Sequence, residues 1–169
     1  YNTNLEAAEA FKASLKDIKV EIIGGDLTTQ EARDAIFECI DREFCDFDLA
    51  TVVHNAGQYL GVTSDNVDGI GAGTKKFGYG SLLKEDGKLD TTYLAYYQKL
   101  YGSAFIDICE RSIARMKKAH ARCQEAQAGQ KYRGSIVGIS SPGCNTSFKI
   151  TPGYDMPGSG KCMMEYAIR

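Results

Sequence analysis

The sequence lacks the features that mark several large classes of protein. Its 20 lysines and arginines stand against 22 aspartates and glutamates, and no block of basic residues has the pattern of a phosphate-binding surface. No stretch reaches the roughly 18 consecutive apolar residues that a membrane-spanning helix needs. The sequence therefore argues against nucleic acid as a partner and predicts no membrane span.

Histidine is scarce, and the cysteines are not paired at metal-binding spacing. His54 and His120 are the only histidines and stand far apart in the sequence, so there are too few histidine ligands for a metal site. The six cysteines form no CxxC pair, and a chain of 169 residues does not need a disulfide framework. We therefore expect no metal site and reduced thiols, which indicate an intracellular protein of the cytoplasm or of an organelle such as a plastid.

Apolar periodicity divides the chain into alternating helices and strands. Apolar residues recur every three or four positions over 5–18 and again over 28–44, which predicts two helices. Runs rich in β-branched and other apolar residues predict strands over 18–23, 49–53 and 134–141. With 43% hydrophobic residues, the chain has enough apolar material for the core of one domain.

The connections between these elements differ in kind. Thr28 and Glu31 form a capping-box signature at the start of the second helix. Residues 58–89 form a long Gly-rich stretch, which is typical of a functional loop. A long helix is predicted from about Asp90 into the 120s, and a last helix begins near Tyr154.

Alternation of this kind predicts an α/β fold with three layers. Parallel strands joined by right-handed crossovers form a doubly wound sheet with helices on both faces. Ligands of such sheets bind beyond the carboxyl ends of the strands. In this chain those ends are Gly25-Asp26, the segment from His54 to Gly57, and Ser140-Ser141.

Motifs at these strand ends carry a resemblance to a known family. His54-Asn55-Ala56-Gly57 matches three of four positions of an Asn-Asn-Ala-Gly turn, and Asp26-Leu27 matches an Asp followed by an apolar residue. Ile139-Ser140-Ser141 is followed by Tyr154 and then by Lys161. In this order and spacing, the chain resembles the short-chain dehydrogenase/reductase family, whose members bind NAD(P) on a Rossmann-like fold.

The resemblance implies a nicotinamide cofactor and a catalytic set. Ser141 would hydrogen-bond the substrate oxygen, Tyr154 would donate the proton, and Lys161 would lower the pKa of that tyrosine and hold the ribose. A phenol near its reference pKa of about 10 is a slow base at neutral pH, and a nearby ammonium favours its phenolate. The implied residues that hold NAD or NADP are Asp26, Leu27, Asn55, Ala56, Gly57 and Lys161.

The subtype indications are mixed. Lys161 follows Tyr154 by seven residues, where most members of the family have four, and the wider spacing is similar to that of enoyl reductases. Ser141 is instead the residue of carbonyl reductases. Lys99-Leu100-Tyr101-Gly102 stands where dehydrogenases of the family usually carry a relay Asn. Both an acyl thioester and a carbonyl compound therefore stay open as the small-molecule substrate.

Two parts of the family's fold have no counterpart in the sequence. The first strand-helix-strand unit, with its Gly-rich phosphate turn, is expected upstream of Tyr1, and the last strands beyond Arg169. The run from Gly69 to Gly73 follows no predicted strand and opens no helix, so it does not replace that turn. We therefore expect residues 1–169 to form a single partial Rossmann-like domain that is active only within a longer chain.

Two functions from different classes follow. The first is an NAD(P)H-dependent oxidoreductase that transfers hydride to a carbonyl or enoyl group. The alternative is a non-catalytic structural or regulatory subunit built on the same fold. The first predicts a homo-oligomer that pairs through the long helix, and the second predicts a partner that covers open sheet edges.

Overall fold

The computed structural model describes residues 1, 4–57, 86–88, 91–125, 132–141, 144 and 155–169. Within these ranges the chain is mostly helical. Of the described helices, none combines the length and the apolar character that crossing a membrane demands. The elements in chain order are α1 (Leu5–Ser14), α2 (Gln30–Glu43), β1 (Thr51–His54), α3 (Thr91–Gln98), a π-helical turn (Lys99–Ser103), α4 (Ala104–Glu125), β2 (Ser135–Gly138) and α5 (Asp155–Ala167).

Side-chain caps fix where the first two helices begin. The Asn4 side chain accepts a hydrogen bond from the Ala7 amide at 2.9 Å and caps α1. The Thr29 hydroxyl accepts from the Ala32 amide at 3.3 Å and caps α2. The predicted capping box at Thr28 is therefore wrong by one residue, because the Thr28 amide donates to Asp26 instead.

The predicted three-layer, doubly wound sheet is wrong. In the described residues, β1 and β2 form a two-stranded parallel sheet. The predicted strand over 18–23 is absent, because this segment has no regular secondary structure. Its end pairs with Tyr1, whose amino group donates to the Ile23 carbonyl and whose carbonyl accepts from the Gly25 amide. An apolar run with β-branched residues becomes a strand only when a neighbouring backbone satisfies its hydrogen bonds along its length.

The described chain divides into two compact units, and each is described by itself. The first contains 1–52 and 107–135, and the second contains 53–106 and 136–169. In the first unit, ion pairs link Arg33 to Asp107 and Arg115 to Asp41. In each pair the two partners are 74 residues apart in the sequence. The helices that carry them, α2 and α4, therefore run parallel.

A buried arginine anchors this helix pair. The Arg33 guanidinium donates to Asp107 at 2.7 Å, to the Leu27 carbonyl at 2.7 Å and to Gln30 at 2.8 Å. Its side chain is only 10% exposed. Close by on the same helix, Phe37 is fully buried beneath the guanidinium groups of Arg111 and Arg115. Part of the contact between the two helices therefore consists of cation–π interactions rather than of apolar packing.

Replacing Asp107 by Asn is expected to destabilise the protein more than the same change at Asp41. Loss of the Asp107 charge leaves the buried Arg33 without an anionic partner, at a cost of about 1–3 kcal/mol. Asp41 is 60% exposed, so the Asp41→Asn change should cost less than about 1 kcal/mol. Urea unfolding of both variants measures the difference. Equal losses of stability would contradict the anchoring role of Arg33.

The second unit is organised by close contact of α5 with α3 and the π-helical turn. Its core includes Tyr97, Tyr101, Phe105 and Met164, each 2% exposed or less. The close approach depends on Gly160, because a Cβ atom there would lie 2.4 Å from the carbonyl oxygen of Tyr97. This contact sets the distance between α5 and α3, and thereby the position of Lys161, the next residue.

Candidate functional site

The two strand ends that carry predicted site residues lie side by side in the second unit. The Ile139 amide donates to the His54 carbonyl at 3.0 Å, so the chain leaves both strands in the same direction. Asn55 and Gly57 are exposed, and Ala56 is half-buried. Half-buried Ser141 follows the neighbouring strand. The structure therefore brings the Asn-Ala-Gly turn and Ser141 to the same end of the sheet.

Lys161 and Tyr101 complete this end of the second unit. The Lys161 ammonium lies 5.3 Å from the centre of the buried Tyr101 ring, within the range of a cation–π interaction. A Cβ atom on Gly57 would lie 2.5 Å from the Tyr101 hydroxyl oxygen. Only glycine permits this approach, so Gly57, Tyr101 and Lys161 form a contiguous set.

Sequence reasoning missed the place of Tyr101 in this set. From the sequence alone, the cluster of Tyr93, Tyr96, Tyr97 and Tyr101 predicts packing residues of the long helix. The Tyr97 and Tyr101 rings do stack, with centroids 6.0 Å apart. The sequence signal that could have separated Tyr101 from the others is its position beside Gly102, in the run that stands where the family has its relay Asn.

His54 is a buried histidine at the start of the Asn-Ala-Gly turn. Its ring packs edge-on against Phe105, with centroids 5.3 Å apart, and against Tyr101. It hydrogen-bonds the Leu100 backbone, and among the described residues its Nε2 atom has no hydrogen-bond partner. Burial lowers the pKa of His54, the hydrogen bond to Leu100 opposes this shift, and the charge of Lys161 adds to it. The imidazole is therefore neutral at pH 7.

A neutral buried His54 predicts a loss of stability in mild acid. Because its folded pKa lies below the unfolded value of about 6.5, the unfolded state binds more protons as the pH falls below 6.5. Stability is thus fully present above pH 6.5 and falls at up to about 1.4 kcal/mol per pH unit until the folded pKa is reached.

Urea unfolding at pH 7.5 and pH 5 measures this effect. The difference in the free energy of unfolding between pH 7.5 and pH 5 should shrink in the His54→Asn variant. It should persist in a His120→Asn variant, which removes the only other histidine. The change of this free energy with pH is compared, rather than its absolute value, because Asn can itself alter packing. An unchanged slope in His54→Asn would contradict the burial of a neutral imidazole.

Ser141 adjoins a pair of cysteines. Its hydroxyl lies 3.2 Å from the Cys144 sulfur, and the Cys162 thiol donates a hydrogen bond to the Cys144 carbonyl. On the same turn, the Ser140 hydroxyl donates to the Glu165 carboxylate on α5. The segment after β2 is therefore joined to α5 by two side-chain hydrogen bonds, on either side of Ser141.

Tyr154 lies outside the described residues, as does nearly all of the Gly-rich stretch over 58–89. The predicted proximity of Tyr154 to Lys161 therefore stays a prediction. The helix predicted to begin near Tyr154 begins at Asp155, and Lys161 lies about 1.7 turns further along it.

Asp26 and Leu27 belong to the first unit and lie before α2. The Asp26 carboxylate accepts from the Thr28 amide at 2.9 Å, and its carbonyl accepts from Thr29. The Leu27 carbonyl accepts from Arg33. These contacts are those of a turn that leads into a helix. The cofactor-binding role that the resemblance implies for Asp26 and Leu27 stays a prediction.

No family model, curated protein or solved structure matches this chain. The resemblance to the short-chain dehydrogenase/reductase family therefore depends on the motif residues alone.

Proposed function

We propose that the full-length protein is an NAD(P)H-dependent reductase of the short-chain dehydrogenase/reductase type, which reduces a carbonyl or enoyl group of a small-molecule or acyl substrate. The observation that supports this most is the gathering of three separate motif segments in the second unit. These are the Asn55-Ala56-Gly57 turn, Ser141 and Lys161. Segments about 85 and 20 residues apart in sequence lie in one compact unit, as the proposed chemistry requires.

The described residues fit a nicotinamide dinucleotide at its ribose end. Asn55 and Gly57 are exposed, so their backbone groups and the side-chain amide of Asn55 are accessible to the hydroxyl groups of the ribose. Lys161 is half-buried, and its ammonium carries three donors. Asn55, Ala56, Gly57 and Lys161 would hold this end. When bound, the dinucleotide supplies the hydride.

The chain itself supplies the proton and the positioning. Tyr154 donates its phenolic proton to the substrate atom that becomes negative, and the Lys161 charge stabilises the phenolate that remains. The Ser141 hydroxyl donates a hydrogen bond to the substrate oxygen. The Tyr101 ring beneath the Lys161 ammonium helps to hold that charge in place.

An exposed apolar surface favours the alternative function, a structural or regulatory subunit within an assembly. Val53 on β1, Val137 on β2 and Ile139, one residue beyond the end of β2, are 57%, 41% and 44% exposed. Side chains two apart lie on one face of a strand, so these three form one apolar sheet face in the second unit. A partner chain that covers this face would stabilise such a subunit without any catalysis.

Oxidation of NADH or NADPH by the full-length protein separates the two functions. With a panel of ketones and enoyl thioesters, a reductase consumes reduced dinucleotide and its Tyr154→Phe variant loses at least about 100-fold in kcat/KM. Tyr166→Phe is the matched control, because Tyr166 is 82% exposed on α5. Full activity of Tyr154→Phe would overturn the proposed role of Tyr154, and turnover of no substrate would favour the subunit.

A further inference from the structure

Two cysteines of the second unit lie next to each other beside Ser141. Cys162 is exposed on α5, and its thiol contacts the backbone carbonyl of Cys144. Cys144 is 4% exposed, and its sulfur contacts the Ser141 hydroxyl. They are the only cysteines in the sequence of this unit, since the other four lie within 1–52 and 107–135.

We propose that Cys144 and Cys162 are a redox modification site that forms an intramolecular disulfide when a hydroperoxide reacts with the protein. A carbonyl oxygen lies about 2.4 Å from its own Cα atom, so a thiol in contact with the Cys144 carbonyl is close to the origin of the Cys144 side chain. Rotation of the Cys144 side chain away from Ser141 then brings the two sulfur atoms together. Disulfides need Cα atoms within about 4.4–6.8 Å, a separation compatible with this contact.

The different exposure of the two thiols assigns their roles. The exposed Cys162 is the thiol that a hydroperoxide can reach. Burial and the nearby Cys144 and Glu165 raise the pKa of this thiol, so only a small fraction is thiolate at neutral pH and the reaction is slow. The thiolate attacks the hydroperoxide, which breaks the O–O bond, releases water or an alcohol and leaves a sulfenic acid on Cys162. The sulfur of Cys144 then attacks the sulfur of Cys162, loses its proton and expels water. Both thiols are oxidised by two electrons in total, and one hydroperoxide is reduced to two waters or to an alcohol and a water.

The bond would join the segment that carries Ser141 to the helix that carries Lys161. Lys161 directly precedes Cys162 in the chain, so the cross-link restricts the position of the ammonium relative to Ser141. A loss of turnover on oxidation would follow only if the proposed function is correct. The disulfide itself forms whether or not the full-length protein is a reductase, so the two proposals can fail independently.

Peptide mapping tests the proposal directly. The full-length protein is treated with hydrogen peroxide, its remaining thiols are alkylated, and it is digested with trypsin without reduction. Cleavage after Arg133, Lys149 and Lys161 leaves Cys144 in the peptide 134–149 and Cys162 in the peptide 162–169. We expect these two peptides to be linked, with a mass two hydrogens below their sum, and to separate on treatment with dithiothreitol.

Matched variants assign the bond to this pair. Cys162→Ser should abolish the linked peptide, whereas Cys45→Ser, which removes an exposed thiol of the first unit, should leave it unchanged. Circular dichroism shows whether each variant is folded. Oxidation that leaves both peptides unlinked, or that links either one to another cysteine, would overturn the proposal.

Discussion

Lys161→Ala in the full-length protein is expected to lower kcat/KM for NAD(P)H-dependent reduction by about 100-fold or more. The ammonium is half-buried beside Tyr101 and, in the proposed mechanism, stabilises the phenolate that Tyr154 becomes. In that mechanism, loss of this charge would bring the pKa of the Tyr154 phenol back toward its reference value of about 10 and slow proton transfer at neutral pH. Steady-state rates of dinucleotide oxidation measure the loss.

Two further measurements separate an electrostatic role of Lys161 from a structural one. In the oxidative direction, Lys161→Ala should regain activity as the pH approaches 10, because the phenolate then forms without an adjacent charge. Lys117→Ala, which removes an exposed lysine of α4, should have no effect on the rate at any pH. A variant at position 161 that keeps its rate at pH 7 would contradict the assignment of Lys161.

Gly160→Ala is expected to destabilise the protein by about 3 kcal/mol, the largest effect on stability that we predict for a single methyl group. The added Cβ atom would lie 2.4 Å from the Tyr97 carbonyl oxygen and 2.8 Å from its carbon. These are backbone atoms and cannot move aside by a change of rotamer. The substitution must therefore separate α5 from α3, which also displaces Lys161 from Tyr101.

Gly102→Ala is the matched control for Gly160→Ala. Gly102 is also buried in the second unit, but a Cβ atom there would meet the terminal methyl group of Met163 at 2.6 Å. Met163 is 40% exposed and flexible, so it can move. Since alanine also favours helix by about 1 kcal/mol over glycine, the net change should be small. Urea unfolding of both variants measures the contrast, and equal effects would contradict the close contact at Gly160.

Local patterns were sufficient to predict most of the described elements. The helix predicted over 28–44 is α2, and the long helix predicted from about Asp90 runs through Thr91 to Glu125 with a π-helical turn inside it. Both depend on apolar periodicity, which acts within one element. The predicted strand over 18–23 and the three-layer sheet are wrong, because pairing between strands is decided by distant segments that local periodicity does not describe.

The candidate site, too, could be predicted from the sequence only in part. The order of Asn55, Ser141 and Lys161 along the chain could be read from the sequence, and the structure places them in one unit. The contacts of Tyr101 with Lys161 and Gly57 could not be predicted, because they depend on the packing of α5 against the π-helical turn. The same holds for Cys144 and Cys162, which are 18 residues apart and are brought together by the segment after β2.

Transfer of deuterium from the C4 position of the nicotinamide tests the central claim most directly. The full-length protein is incubated with NADH or NADPH deuterated at either face of C4 and with the carbonyl or enoyl compounds of the panel, and the products are analysed by mass spectrometry. A reductase of the proposed type delivers one deuterium to the product from one face of the ring, and its Tyr154→Phe variant delivers almost none. Products without deuterium from either face, from a folded protein that binds the dinucleotide, would contradict the claim.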